Sequence, residues 1–173
     1  IGRHIYGIDE ETLPVKVGKL LVEKGETLAA AESCTGGMIG AMLTDAAGSS
    51  AYFWGSLVSY HNQVKQNVLG VTEDVLQQYG AVSKQCAKQM AEGARKQAGT
   101  DWAVSVTGIA GPGGGTPEKP VGFVCIAVAG PDGTTAREHQ IWHGDRAQIR
   151  LRAAKTALHD LLKRIEKRKV ITD

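Results

Sequence analysis

Cysteine is scarce in this sequence and is not arranged for bonding. The 173 residues include three cysteines, Cys34, Cys86 and Cys125, and no CxxC or Cys/His ligand spacing surrounds them. An odd number of scattered cysteines predicts neither a disulfide framework nor a zinc site. We therefore exclude the small disulfide-rich secreted domains and the zinc-binding modules, and we expect a protein of the reducing cytoplasm.

Long apolar runs are also missing. No segment approaches the roughly 20 apolar residues that a membrane-spanning helix needs, and the N-terminus lacks the features of a signal peptide. We therefore expect no membrane partner. The chain starts with Ile1 instead of Met, so we expect processing, excision or further sequence upstream, with residues 1–10 as an N-terminal extension or linker remnant. The length suits one compact domain, which we place at residues 1–173.

A strong charge of either sign is absent as well. The formal net charge is +2 at pH 7, and the basic residues gather mainly in the tail "LLKRIEKRKV". No aromatic residues interleave with these charges, as a surface that binds single strands would require. We therefore interpret the tail as the solvated end of a helix and expect no nucleic-acid partner.

What the sequence does contain is an alternation of helical and strand patterns. Apolar spacing predicts helices in "DEETLPVKVGKLLVEKG", in "GGMIGAMLTDAAG" up to Gly48, in "TEDVLQQYG", in "VSKQCAKQMAEGARKQAG" with Ser83 as N-cap, and from Asp145 onward. Apolar, β-rich runs predict strands in "TLAAAES", "YFWGSLVSY", "DWAVSVTG" and "VGFVCIAVAG", and "PDGTT" predicts a hairpin turn into "TAREHQIW". This alternation predicts an α/β layered domain around a mixed β-sheet.

Two glycine-containing loops follow predicted strands. The first is "ESCTGG", residues 32–37, and the second is "TGIAGPGGGTPEKPVG", residues 107–122. The second loop could be a flexible connection, or its glycines could let backbone N–H groups approach a phosphate or an oxyanion closely. It has neither a G-x-G-x-x-G nor a GK[ST] signature, which excludes a Rossmann or P-loop assignment. Because ligands bind beyond the carboxyl ends of strands in open sheets, we expect both loops to face one crevice.

The first loop offers two candidate nucleophiles, Ser33 and Cys34. A serine at a strand-to-helix turn can expose its hydroxyl near the positive end of a helix, which is expected to begin near Gly36. The serine could instead be only a helix N-cap, and the cysteine could be only a small buried residue. No Ser-His-Asp order is visible, and the spacing of His139 and His143 suits a metal only on a helix, whereas their segment is predicted to be a strand.

A base for such a nucleophile has to come from another part of the chain. In "SYHNQVK", Tyr60 ends a predicted strand and Lys65 follows five residues later. In a continuous helix the two side chains would lie on different faces, so both reach one site only if a turn intervenes, which His61 and Asn62 favour. A lysine desolvated beside a serine can lose its proton near neutral pH and act as a base, and the alternative is an ordinary solvated lysine.

The motifs "AESCTGG", "GSSAYFWGSLVSYHNQVKQNVLGV", "GAVS", "MAEGAR" and "TGIAGPGGGTPEKPVG" occur in this order over most of the chain. Together they resemble the CinA C-terminal domain family, the nicotinamide-nucleotide amidohydrolases. The resemblance implies a three-layer α/β/α sandwich that hydrolyses the carboxamide of nicotinamide mononucleotide to nicotinate mononucleotide and ammonia, for pyridine-nucleotide recycling and without a cofactor. The opening segment "GRHIYGIDEETLPVKVGKLL" resembles the stretch that joins this domain to an upstream molybdopterin-binding-like domain in full-length CinA proteins.

The resemblance also implies which residues act. The family's motif points to Ser33, Tyr60 and Lys65 as the catalytic set, and no metal is required. For substrate binding it suggests residues of both glycine-containing loops, namely Gly36, Gly37, Thr107, Gly108, Ile109, Ala110 and Gly111. Arg146 in "HGDRAQIR" could clamp the phosphate, because its planar fork presents two parallel donors; alternatively it is a first-turn helix residue paired with Asp145.

Two functions of different classes stay open at this point. One is a metal-independent amidohydrolase that acts on a mononucleotide, and the other is a non-catalytic nucleotide-binding module that serves an upstream domain. A binding module has no need of a nucleophile and a base beside its glycine-rich loops, which favours the enzyme. A homo-oligomer is possible, because Phe53, Trp54 and Trp142 in predicted strands suit a core and an interface equally well.

Overall fold

A mixed β-sheet forms the middle layer of the protein. The computed structural model describes residues 12–141 and 144–168. Within these residues the sheet has five strands in the order β2-β1-β3-β4-β5. The strands are β1 (Leu28–Glu32), β2 (Phe53–Val58), β3 (Trp102–Gly108), β4 (Phe123–Gly130) and β5 (Gly133–Gln140). β1 runs parallel to β2 and β3, whereas β4 runs antiparallel to β3 and β5. The prediction of a mixed sheet is confirmed.

Helices cover both faces of this sheet. In the described part of the chain they are α1 (Leu13–Lys24), α2 (Met38–Thr44), α3 (Asn62–Leu69), α4 (Glu73–Tyr79), α5 (Lys84–Ala98) and α6 (Arg146–Lys167). α1 and α2 pack with α6 on one face, and α3 and α4 pack with α5 on the other. The predicted three-layer α/β/α sandwich is therefore confirmed.

The two faces of the sheet carry side chains of different size. Toward α1, α2 and α6 the two central strands β3 and β4 present Trp102, Val104, Val106, Val124, Ile126 and Val128. Toward α5 the sheet presents mainly small residues, among them Ala29, Ala31, Ala103, Cys125, Ala127 and Ala129. Small side chains let α5 lie close to the sheet, and Ser105 Oγ donates to the Ala87 carbonyl at 2.6 Å. This close approach brings the segment before α5 to the end of β3, where Thr107 Oγ1 donates to the Ala81 carbonyl at 2.8 Å.

The carboxyl ends of β1 and β3 lie where the chain changes direction across the sheet. From β1 the chain passes through α2 to β2 at the sheet edge, and from β2 it returns through α3, α4 and α5 to β3 on the other side of β1. α2 and α5 lie on opposite faces of the sheet. In open α/β sheets such a point opens a crevice between the two loops.

Three elements differ from the predicted ones. α2 ends at Thr44 and not at Gly48, where the chain turns into a short 3-10 helix. β2 ends at Val58, so Tyr60 lies beyond the strand. The sequence pattern did not reveal α3, whose N-cap is His61. Helix α3 buries only Lys65 and Leu69, so a lysine occupies a position where a helical pattern requires an apolar residue.

The aromatic residues of β2 divide between the core and the surface. Phe53 packs against the larger core cluster, whereas Trp54 is 55% exposed. The pairing of β1 with β2 shifts by one residue at this point, and Trp54 is the extra residue of the resulting irregularity. Trp142 and His143 lie outside the described residues.

Candidate active site

Ser33 lies directly after β1, in the turn at residues 33–37, which we call the serine turn. Its backbone N–H donates to the Val106 carbonyl at 3.0 Å, so the serine extends the pairing of β1 with β3. Helix α2 begins at Met38 with Gly37 as its cap residue, so Ser33 is not the helix N-cap. The side chain is therefore available for another role, although the residue is buried.

The N-terminus of α2 is bound by a buried carboxylate. Glu32 is fully buried and accepts hydrogen bonds from the backbone N–H groups of Gly37, Ile39 and Gly40 at 2.9, 3.1 and 2.9 Å. Its Oε1 also accepts from Ser56 Oγ at 2.7 Å. Glu32 thus already accepts from N–H groups at the positive end of this helix, near which the sequence predicts the Ser33 hydroxyl. The sequence motif did not reveal this role of Glu32, although an acidic residue shortly before a predicted helix is the available signal.

Lys65 is held against Ser33 in the protein interior. It is 1% exposed, and its Nζ lies 3.1 Å from Ser33 Oγ. Nζ also donates to the carbonyls of Ser59 and Tyr60, at 2.8 and 3.1 Å. Burial lowers the pKa of Lys65 below its ordinary value, with smaller opposing effects from Cys86 and Cys34. The structure thus places the candidate nucleophile Ser33 and the candidate base Lys65 in direct contact.

The three acceptors around Nζ fit both protonation states of Lys65. An ammonium group has three N–H donors, which match one hydroxyl and two carbonyl oxygens. A neutral amine has two N–H donors and a lone pair, so the two carbonyls take the N–H groups and the lone pair faces the Ser33 hydroxyl. The second arrangement is the one in which the lysine can accept the serine proton.

Cys34, the alternative nucleophile, is also buried in this region. Burial raises the pKa of its thiol to about 11, while Arg150 and Lys65 lower it to a smaller extent. A thiol with this pKa is almost entirely protonated near pH 7, and the thiolate is the reactive form. The protonated thiol of Cys34 and the contact between Lys65 Nζ and Ser33 Oγ therefore together favour Ser33 as the nucleophile.

A pocket of about 190 Å³ opens above this pair. Its wall includes residues from both glycine-containing loops, which confirms that the two loops border one crevice. The lining residues are Ser33, Cys34, Tyr60, Asn62, Lys65, Ala81, Val82, Thr107, Gly108, Ala110 and Arg146. Four predicted substrate-binding residues are not part of this lining: Gly36, Gly37, Ile109 and Gly111. Asn62, Ala81 and Val82 were not predicted as site residues, because α3 and the segment before α5 reach the pocket only through the packing of α5 on the sheet.

Arg146 connects three parts of the pocket wall. Its Nη1 donates to the Gly111 carbonyl at 2.6 Å and its Nη2 to the Tyr60 hydroxyl at 3.1 Å. The alternative pairing with Asp145 is wrong, because the Asp145 carboxylate accepts from the Gln148 N–H and forms a capping box. Tyr60 is 62% exposed and contacts Lys65 through its backbone carbonyl, not its hydroxyl.

The charge of the pocket has one sign. Its described lining contains two basic side chains, Lys65 and Arg146, and no carboxylate. Both are hydrogen-bonded only to neutral oxygens. An anionic ligand is therefore favoured electrostatically, and a phosphate suits the planar fork of an arginine.

Side chains suited to bind a metal ion do not cluster in the described part of the chain. No group of three or more His, Cys, Asp or Glu residues in the described ranges is arranged to hold an ion. His139 instead pairs with Asp160 at 2.8 Å, between β5 and α6. Across residues 12–141 and 144–168, none of the helices has the length and apolar character needed to cross a bilayer.

Comparisons with known proteins agree with the resemblance. A competence-damage inducible protein of Symbiobacterium thermophilum is 54% identical over 167 residues, a match that covers 91% of this chain and 39% of that protein. The chain thus spans 39% of the length of this curated relative. The crystal structure of the competence/damage inducible protein CihA from Agrobacterium tumefaciens matches with a TM-score of 0.82 and 38% identity, over 93% of this chain and 100% of that one.

A second solved structure has the same fold. The competence damage-inducible protein A (ComA) from Klebsiella pneumoniae matches with a TM-score of 0.86 and 32% identity, over 91% of this chain and 97% of that one. A sequence profile of the CinA C-terminal domain matches residues 10–165. On these grounds, the chain belongs to the CinA C-terminal domain family.

Proposed function

We propose that this protein hydrolyses the carboxamide of nicotinamide mononucleotide, giving nicotinate mononucleotide and ammonia, with Ser33 as nucleophile and Lys65 as base. The observation that carries the proposal is the buried contact between Lys65 Nζ and Ser33 Oγ at 3.1 Å, at the floor of a cationic pocket. A carboxamide is a poor electrophile, so its hydrolysis needs an activated nucleophile and a proton donor for the leaving ammonia. The buried pair provides both, because the lysine can take and return one proton.

The proposed reaction has two halves. Ser33 Oγ attacks the carboxamide carbon while Lys65 Nζ accepts the hydroxyl proton. The tetrahedral intermediate then loses ammonia, which takes its additional proton from Lys65, and an acyl-enzyme remains on Ser33. Water attacks this ester while Lys65 again accepts a proton and returns it to Ser33 Oγ, so the acid leaves and the serine regains its hydrogen. The acid then gives its remaining proton to solvent, where ammonia takes it up, and nicotinate is left as the carboxylate.

Arg146 and Tyr60 take a different part in this proposal. Arg146 lines the pocket as a cation without a carboxylate partner, so it binds the phosphate of the mononucleotide. The Tyr60 hydroxyl accepts from Arg146, so it orients the guanidinium, and the Tyr60 carbonyl holds Lys65. Thr107, Gly108 and Ala110 line the pocket on the β3 side, toward the substrate.

An ammonia-release assay with nicotinamide mononucleotide tests the proposal. We expect ammonia and nicotinate mononucleotide in equal amounts, and activity that survives EDTA, since the described residues offer no ligand set for a catalytic ion. Parallel assays with nicotinamide riboside and with the dinucleotide measure how much the phosphate of the mononucleotide contributes to kcat/KM. Binding of the mononucleotide without ammonia release would instead support the nucleotide-binding module. Loss of activity in EDTA that zinc restores would contradict the metal-independent mechanism.

A further inference from the structure

Arg150 binds the serine turn from outside the pocket. Its Nε donates to the Cys34 carbonyl at 3.0 Å, and its Nη2 donates to the Thr35 carbonyl at 2.8 Å. It lies on α6 and does not line the pocket. One guanidinium therefore spans the two residues that directly follow Ser33 in the chain.

Two features make this contact suited to arginine. Nε and Nη2 are neighbouring donors of a rigid planar fork, so they meet two consecutive carbonyls at once, which a lysine ammonium cannot do with the same directional control. A Cβ atom at Gly36 would lie 3.1 Å from Nη2 of Arg150, and Gly36 has φ of +59°. Glycine at this position leaves room for the guanidinium and allows the left-handed backbone.

The carbonyls that Arg150 binds also determine where N–H groups point. In a trans peptide unit the C=O and N–H bonds point in opposite directions. Binding of the Cys34 and Thr35 carbonyls therefore turns the N–H groups of Thr35 and Gly36 away from Arg150, and the cation polarises both peptide units. The Gly36 N–H donates to the Ser33 carbonyl at 3.2 Å, which closes the turn on the serine.

We infer that Arg150 is a positioning residue for the serine nucleophile. It holds the two peptide units after Ser33 in the orientation that keeps Ser33 Oγ beside Lys65 and directs the N–H groups of the turn. The inference rests on the proposed function in that Ser33 is taken as the nucleophile. Arg146, one helical turn earlier on α6, lines the pocket, so this helix carries one arginine for the pocket and one for the turn.

Three variants test this role, and for each one the change in kcat is compared with the change in KM. We expect Arg150→Met to lower kcat for ammonia release by about 100-fold while KM stays within about threefold, because a misplaced nucleophile affects the chemical step more than binding. Arg150→Lys keeps the charge without the fork and should stay about tenfold below the wild type. Lys155→Met removes an exposed cation from the same helix and should match the wild type in both constants.

Chemical rescue separates positioning from a general loss of structure. Arg150→Ala leaves a space that a small guanidinium ion can enter, so added guanidinium at low millimolar concentration should raise kcat of this variant and not that of Lys155→Met. An Arg150→Met enzyme with kcat within about threefold of the wild type, or one that changes only KM, would overturn the inference. So would a loss of kcat in Arg150→Ala that guanidinium does not reverse.

A second measurement distinguishes failure of this inference from failure of the proposed function. Phenylmethanesulfonyl fluoride labels an activated serine: Oγ bonds to sulfur, fluoride leaves, and Lys65 accepts the hydroxyl proton. We expect Ser33 in the wild type to be labelled at least about tenfold faster than in Arg150→Met, as followed by intact mass and peptide mapping. Arg150-dependent labelling without ammonia release would refute the proposed substrate and support the role of Arg150. Labelling at equal rates in both proteins, or none in the wild type, would refute that role.

Discussion

Charged and polar side chains lie at both ends of the parallel strands β1 and β3, but their hydrogen-bond partners differ between the two ends. Before β1 and β3, the Asp101 carboxylate accepts from the Thr27 N–H and hydroxyl, both at 2.8 Å. The Glu26 carboxylate accepts from Trp102 Nε1 at 2.7 Å and pairs with Arg168, whose guanidinium lies over the Trp102 ring. Here carboxylates meet their donors within the protein.

At the opposite end of the same strands the cations have no such counterpart. Lys65 and Arg146 bind hydroxyl and carbonyl oxygens, and no carboxylate in the described residues pairs with either one. Desolvating a cation without an opposite charge costs free energy, and an anionic substrate would recover part of it. The paired end therefore has the contacts expected of a structural role, whereas the unpaired end has the electrostatics of a binding site.

The largest effect should come from the unpaired end, at Ser33. We expect Ser33→Ala to lower kcat by about 10⁴-fold or more, because removal of a nucleophile leaves only binding and electrostatic contributions. Cys34→Ala is the matched control and should keep kcat within about tenfold, since burial keeps this thiol protonated. Ammonia release and circular dichroism check both variants. Equal loss in the two variants, or loss only in Cys34→Ala, would contradict the serine assignment.

The second effect concerns the charge of Lys65. If the neutral amine is the base, kcat/KM rises with pH through the pKa of Lys65, which burial moves below its ordinary value, so the acid limb reports this depressed pKa. Arginine cannot lose its proton in this range. We therefore expect Lys65→Arg and Lys65→Ala both to lose about 10²–10⁴-fold in kcat/KM.

An alternative role of Lys65 predicts a different result for these variants. If the lysine acts as a fixed cation, Lys65→Arg should retain a sizeable part of the activity and the acid limb should not reflect the lysine. A Lys65→Arg enzyme that works close to the wild-type rate would therefore exclude the base.

The third prediction concerns Arg146, the unpaired cation that we propose binds the substrate phosphate. We expect Arg146→Met to lower kcat/KM for nicotinamide mononucleotide by about 10–100-fold, as a charge-assisted hydrogen bond of about 1.5–3 kcal/mol is removed. The riboside has no phosphate and should show a much smaller change. The ratio of the two kcat/KM values, measured in wild type and variant, isolates the phosphate contact. A similar loss with both substrates would instead indicate that Arg146 supports the pocket through Gly111 and Tyr60.

The smallest effect on activity should come from the paired end. Glu26→Ala leaves the Trp102 indole N–H without its acceptor and Arg168 without its ion pair, so we expect the free energy of unfolding to fall by about 1–3 kcal/mol. Turnover by the folded enzyme should remain unchanged. Glu23→Gln, at an exposed position on α1, is the control for loss of an acidic side chain. Urea denaturation and ammonia release measure the two effects, and a fall in kcat for Glu26→Ala would contradict the division between the ends.

The elements that the sequence predicted well are those with a strong period. The apolar spacing of α5 and α6 and the apolar runs of β1, β3 and β4 identified these elements, and Ser83 caps α5 as predicted. Helix α3 was missed, because its buried face begins with a lysine. A position that breaks the pattern is therefore a candidate for function, and Lys65 is such a position.

The candidate site also contains residues whose roles the local sequence pattern does not reveal. The motif around Ser33 indicated a turn with a candidate nucleophile, but it could not show that Glu32 binds the start of α2 or that Arg150 holds the turn. Neither role has a local period or a fixed spacing. The Arg150 contact in particular forms only when α6 packs beside α2 on the same face of the sheet.

Local sequence alone determined the class of fold, since strand and helix periods and turn residues act over a few neighbouring positions. It also determined which two loops carry the polar and glycine-rich residues, and the family to which the chain belongs. Only the tertiary structure decided which of these residues touch. Ser33 and Lys65 are 32 positions apart, Tyr60 and Arg146 are 86 apart, and Thr35 and Arg150 are 115 apart. Such contacts depend on strand order and on the packing of helices across the sheet, which local periods do not encode.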